Sequence, residues 1–169
     1  DLVATSLFDD TVSVLSGNGD GSFAVHTFAA PGIDPDQPLV FDANRDGVMD
    51  ILFTETGTGP QIRVMLGNKD GTFAVGSSQL IGDSAGGNTF NDFNGDGYLD
   101  IAQQNGLEDT VSVLLGRGDG TFASRISYSV GSRPTRGLIS EDFNNDGVID
   151  LLTSNSLSNN IHVLLGNTK

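Results

Sequence analysis

Three stretches, DANRDGVMD at residues 42–50, DFNGDGYLD at 92–100 and DFNNDGVID at 142–150, begin 50 residues apart both times. A fixed period of this length marks a chain of repeated supersecondary units, each too small to bury its apolar faces alone. A second block keeps nearly the same step: GNGDGSFA at 17–24, GNKDGTFA at 67–74 and GRGDGTFA at 116–123. Each copy follows an apolar stretch, VSVLS, IRVML or VSVLL. Within residues 38–81 four short segments have strand character, namely PLVF, ILFTE, IRVML and TFAVG. Asp70-Gly71, with Asp20-Gly21 and Asp119-Gly120, reads as the reversal between the third and fourth segments, because glycine accepts the positive φ that such turns require. Alternation in the third segment (Val12 and Val14; Val111, Val113 and Leu115; Ile161, Val163 and Leu165) gives each copy one strongly apolar face. No segment keeps helical spacing over three turns, so no helix is expected.

Four antiparallel strands in about 50 residues, repeated, predict an all-β chain of β-propeller blades, since solenoid repeats are usually shorter. The repeat divides the chain into a partial blade over 1–37, blades over 38–87 and 88–136, and a partial blade over 137–169. Asp1-Leu2 aligns with Asp50-Ile51, Asp100-Ile101 and Asp150-Leu151. The partial blades therefore carry three strands each, and the expectation is a segment of a larger propeller. Its missing blades would come from the rest of a parent chain or from another chain.

The repeated acidic loop has the spacing DxNxDGxxD. Side chains at positions one, three, five and nine, with the backbone carbonyl at seven, can converge on one cation. These are hard oxygen donors, which suit Ca²⁺ with its six to eight flexible ligands better than Mg²⁺ with its rigid octahedron. The candidate ligands are Asp42, Asn44, Asp46, Val48 and Asp50 in the first loop, and Asp92, Asn94, Asp96, Tyr98 and Asp100 in the second. The third loop offers Asp142, Asn144, Asp146, Val148 and Asp150. Glycine at position six (Gly47, Gly97, Gly147) fits a sharp bend around an ion. One such cluster would be read as an ordinary turn, but three in register favour a metal. An EF-hand reading needs an acid at position twelve, where Phe53, Gln103 and Thr153 stand.

Composition narrows the function classes. The 169 residues carry 22 acids against eight bases, a formal charge of −14, with two histidines and no cysteine. A phosphate backbone would be repelled, so nucleic acid is not an expected partner. No apolar run exceeds three residues, far short of the roughly 20 of a membrane helix, and no membrane insertion is expected. Nine of the 22 acids are loop aspartates, so three Ca²⁺ would lower the net charge from −14 to −8. His26 and His162 fall in non-equivalent segments, and Glu55, Glu108 and Glu141 stand apart in sequence, so no catalytic acid and base pair is expected.

DFNGDGYLDIA followed by TVSVLLGRGDGTFA, recurring with the 50-residue step, resembles the FG-GAP or VCBS repeat family, related to the blades of integrin α subunits. The resemblance implies a Ca²⁺-stabilised propeller of commonly seven blades, secreted or on a cell surface, with metal between the first and second strands of each blade. Ala43, where the other loops have Phe93 and Phe143, and the cation Arg45 are departures that weaken the first site. The expected function is a non-catalytic extracellular module for adhesion or ligand binding, its partner a glycan or a cell-surface protein. Alternatives are an accessory or structural segment of a secreted carbohydrate-active enzyme, or a calcium-stiffened spacer. A ligand surface is expected at the end opposite the acidic loops, on the second-to-third connections and the linkers 29–37, 82–89 and 131–136, the last carrying Arg133 and Arg136. Arg117-Gly118-Asp119 reads as part of a hairpin turn rather than as a recognition tripeptide.

Overall fold

The structure is a computed structural model that describes residues 1–32, 34–57, 59–82 and 86–167. Among the described residues there are strands, turns and bends but no helix. Among the described residues fourteen strands form four sheets. The first holds β1 (Leu2–Ser6), β2 (Thr11–Gly17) and β3 (Phe23–Ala29) in chain order. The second holds β4 (Pro35–Phe41), β5 (Asp50–Glu55), β6 (Gln61–Gly67) and β7 (Phe73–Leu80). β8 (Asn88–Asn91), β9 (Asp100–Asn105), β10 (Thr110–Leu114) and β11 (Ile126–Ser129) make the third, and β12 (Pro134–Glu141), β13 (Asp150–Asn155) and β14 (Asn160–Leu164) the fourth. Each sheet is a meander of sequential strands, and every pairing with a resolved register is antiparallel. These are propeller-blade sheets, with three, four, four and three strands as the repeat predicts.

β4 and β12 begin at Pro35 and Pro134, ahead of the strand starts read from the sequence. The reason is an irregularity in each. Register shifts between Asp36 and Leu39, where Gln37 takes φ +50°, and again between Pro134 and Leu138. A bulge interrupts the apolar alternation, which hides the first residues of the strand from a pattern search.

The chain divides into two compact units, Asp1–Ser78 and Gln79–Lys169. In the first, Val12 packs with Ile51, Phe53 and Met65, flanked by Val3, Val14, Phe28 and Phe73. In the second, Ala102, Val111 and Val113 pack with Leu138 and Leu151, flanked by Leu164. The two cores repeat one design. Residues two apart on the third strand of the repeat (Val12 and Val14; Val111 and Val113) share a cluster with the second strand of the next sheet (Ile51 and Phe53; Leu151), which is why a single repeat could not stand alone. Every residue of β5 and β9 is buried, so both faces of these strands are covered.

Candidate metal-binding loops

Each acidic loop joins the first strand of a sheet to its second: 42–49 links β4 to β5, 92–99 links β8 to β9, and 142–149 links β12 to β13. Its path requires left-handed backbone twice. Position four (Arg45, Gly95, Asn145) has φ of +61°, +74° and +62°, and position six (Gly47, Gly97, Gly147) has +83°, +83° and +84°. Glycine at position six and asparagine or glycine at position four meet this demand at little cost, whereas Arg45 meets it against its preference.

The side chains at positions one, three and five are drawn together by the loop's own amides. In the first loop the Asp46 N–H donates to Asp42 Oδ1 at 3.1 Å and to Asn44 Oδ1 at 3.0 Å, while the Gly47 N–H donates to Asp42 Oδ2 at 3.0 Å. Asn44 Nδ2 donates to Asp46 Oδ2 at 3.0 Å, and the Val48 N–H to Asp46 Oδ1 at 2.8 Å. The second and third loops repeat all five bonds, through Asp92, Asn94, Asp96 and Tyr98 and through Asp142, Asn144, Asp146 and Val148. Those amides, that of Gly147 foremost, hold the Asp142 carboxyl below the ordinary carboxylate range.

The ninth aspartate does something the spacing did not reveal. Asp50, Asp100 and Asp150 are completely buried. Asp50 Oδ2 accepts from the Ala43 N–H and Oδ1 from the Gly67 N–H, both at 2.8 Å. Asp100 takes the amides of Phe93 at 2.9 Å and Gly116 at 2.7 Å, and Asp150 those of Phe143 at 3.0 Å and Gly166 at 2.8 Å. Asp1 makes the same contact to the Gly17 N–H at 2.8 Å. The carboxylate thus ties the loop's second residue to the end of the third strand. Among the described residues no three His, Cys, Asp or Glu side chains stand together as a metal cluster; the loop amides link positions one, three and five, and the carboxylate at position nine accepts two backbone amides.

Burial pushes the Asp100 carboxyl up to about 6, against the pull of the Gly116 and Phe93 amides and with a smaller push from Asp96 and Asp92. Because the folded value lies above the unfolded one, this group favours folding below pH 4 and loses that contribution as pH rises through about 6. A cation nearby would act in the opposite sense.

The partner of the clamp, glycine at the end of each third strand, was visible at 17, 67, 116 and 166 but unassigned by the motif reading. A Cβ on Gly67 would lie 2.3 Å from the Met49 carbonyl oxygen, one on Gly116 2.3 Å from that of Leu99, and one on Gly166 2.5 Å from that of Ile149. No side chain fits where the third strand crosses position eight of the loop.

The Asp-Gly turns are built the same way three times. Asp20, Asp70 and Asp119 each accept from the backbone N–H and the hydroxyl of Ser22, Thr72 or Thr121 through Oδ1, at 2.6–3.0 Å. These bonds, the hydroxyl foremost, lower the three carboxyls. Asp119 of the Arg-Gly-Asp tripeptide is therefore engaged inside its hairpin, which the Arg117 N–H closes onto Thr121 O at 3.1 Å. Elsewhere, Glu55 is buried in an ion pair with Arg63, and Glu108 pairs with Arg125 at 2.9 Å. His26 lies on exposed β3, and His162 on β14 faces the Asn155 amide at 3.5 Å. Arg133 is exposed, its N–H bonded to Asp109 Oδ1 at 2.7 Å; the side chain of Arg136 lies outside the described residues.

No curated protein matches the chain. Residues 92–153, from the first aspartate of the second loop into β13, match the FG-GAP-like repeat. With this match laid over blade-like sheets that repeat the same loop and the same clamp, the chain is a β-propeller-like repeat module of which residues 92–153 match the FG-GAP-like repeat.

Proposed function

We propose that the chain is a calcium-stabilised, non-catalytic binding module that works outside the cell. The observation that carries this reading is the recurrence of one loop geometry three times, with oxygen-bearing side chains at positions one, three and five held around a shared amide. The donors fit a hard cation. Each carboxylate oxygen has two acceptor sites and each amide bond above uses one, so acceptor capacity remains at positions one, five and nine.

Asp42, Asn44, Asp46 and Asp50 with the Val48 carbonyl would hold the first ion. Asp92, Asn94, Asp96, Asp100 and Tyr98 would hold the second, and Asp142, Asn144, Asp146, Asp150 and Val148 the third. When bound, calcium supplies charge neutralisation among three carboxylates per loop. The chain's own part is to fix those groups before the ion arrives and, through the ninth aspartate, to pass the loop's rigidity to the third strand. Arg45 sets a cation in the first loop, which makes that site the weakest of the three. Loops of modest affinity fill at the millimolar calcium found outside cells, and this supports an extracellular setting.

A non-catalytic role is supported by how the acids are used. Glu55 and Glu108 are each committed to an arginine, and the loop aspartates to backbone amides. Each unit's ligand surface is assigned to the end opposite its metal loops, where Phe8 in the first unit, and Leu107 and Leu157 in the second, project from second-to-third turns into solvent. A glycan or a cell-surface protein is the partner proposed there. Screening the chain on a glycan array and on cells, with calcium and with EDTA, tests it. Reproducible, calcium-dependent binding lost on replacing Phe8 or Leu107 supports the reading, and the absence of any binding refutes the ligand role.

A further inference from the structure

Three asparagines are each followed by glycine: Asn18-Gly19, Asn94-Gly95 and Asn105-Gly106. This pairing is chemically unstable. The glycine amide nitrogen, with no Cβ beside it, can attack the asparagine Cγ and close a five-membered imide ring. The fold treats the three pairs differently.

Asn105 ends β9 and is completely buried, and its Nδ2 donates to Thr110 Oγ1 at 3.0 Å and to Ser112 Oγ at 2.6 Å. Asn94 is fastened through both atoms of its amide. Its Nδ2 donates to Asp96 Oδ2 at 2.8 Å, and its Oδ1 accepts from the Asp96 N–H at 2.9 Å. The nitrogen that would attack it is held as well, since the Gly95 N–H donates to Asp92 Oδ1 at 2.7 Å. Asn18 is exposed in the turn between β2 and β3, where Gly19 and Gly21 take left-handed φ of +83° and +88°. Among the described residues its side-chain amide makes one bond, Nδ2 to Ser22 Oγ at 2.9 Å, and the Gly19 N–H has no acceptor.

The second turn supplies a control within the same chain. Asn68 is also exposed and makes the same bond, Nδ2 to Thr72 Oγ1 at 2.9 Å, but Lys69 follows it instead of glycine.

We propose that Asn18 is a site of spontaneous covalent modification, to which the fold confines deamidation among the three Asn-Gly pairs. The Gly19 nitrogen bonds to Cγ, the Cγ–Nδ2 bond breaks, and the displaced NH₂ leaves as ammonia with the proton that nitrogen gives up. Water then opens the imide. Breaking the new Cγ–N bond gives aspartate at position 18, and breaking the bond to the backbone carbonyl carbon gives isoaspartate. Either product places a negative charge near Asp20 and removes the donor to Ser22 Oγ.

Incubating the whole folded chain at mildly alkaline pH, followed by proteolysis and mass spectrometry, tests this. Each conversion reads as a gain of one mass unit at a located residue. Asn18 should convert to a mixture of aspartate and isoaspartate at least tenfold faster than Asn68, Asn94 or Asn105. In urea Asn94 and Asn105 should rise to the rate of Asn18, because the fold alone protects them. Gly19→Lys, which gives the first turn the sequence of the second, should slow Asn18, and Lys69→Gly should accelerate Asn68, with melting curves checking that both variants fold. Conversion of Asn94 or Asn105 in the folded chain at the rate of Asn18, or an Asn18 no faster than Asn68, would overturn the proposal. The rate at Asn18 should be the same in calcium and in EDTA, so the outcome does not turn on the metal reading.

Discussion

Replacing Asp50 with alanine removes a buried group that accepts two backbone amides, those of Ala43 and Gly67, at 2.8 Å each. Nothing at the site takes its place. A buried donor left without a partner costs about 1–3 kcal/mol, so two give about 2–6 kcal/mol. That is a large part of the 5–15 kcal/mol typical of folded domains. Asp50→Asn is the milder companion, because its carbonyl oxygen can keep one amide while its NH₂ confronts the other. It should cost roughly half as much. Urea unfolding at pH 7 in EDTA isolates the clamp from any ion. The expected outcome is a lower midpoint at unchanged m-value, since the fold and its buried surface stay the same. Amide exchange at Ala43 and Gly67 should accelerate in both variants, which localises the effect to the loop and to the end of β6. A loss below about 0.5 kcal/mol in the alanine variant, or exchange at those two amides unchanged, would refute the assignment of Asp50 as the clamp.

Gly116→Ala places a Cβ 2.3 Å from the Leu99 carbonyl oxygen, so backbone must shift to admit it; a loss of about 1–3 kcal/mol is expected by thermal or urea melts. Asp70 is lowered by Thr72, so its contribution is full above the unfolded carboxyl value near 4 and disappears as pH falls through its folded value. The stability gap between the chain and Asp70→Asn should accordingly narrow below pH 4, and a gap that widens there would contradict the turn assignment. Arg63→Ala strands the buried Glu55 carboxylate and should cost about 3–5 kcal/mol, whereas Glu55→Leu combined with Arg63→Met should be far closer to neutral.

The fold was legible because its signals are periodic. Asp-Gly pairs in three copies and the apolar third strands in all four mark the same place in the repeat, and strand number per sheet followed from counting them. The starts of β4 and β12 were not legible, because bulges after Asp36 and after Pro134 break the alternation. In the loops, positions one, three and five are linked to one another through the loop's own amides. The role of position nine was hidden for a physical reason: metal-ligand spacing and a buried hydrogen-bond clamp both call for aspartate. Only the partner distinguishes them, and that partner is a backbone N–H 16 or 17 residues away, at Gly67, Gly116 or Gly166. A backbone donor leaves no side-chain signature except the glycine that close packing imposes.

Counting bound ions tests the central claim most directly. Equilibrium dialysis of the chain against calcium, paired with melting curves in calcium and in EDTA, should give about three ions per chain and about 2.7 kcal/mol of added stability per site at calcium 100-fold above Kd. Asp92→Ala should remove one ion. No bound calcium at millimolar concentration, together with a melt indifferent to EDTA, would contradict the account.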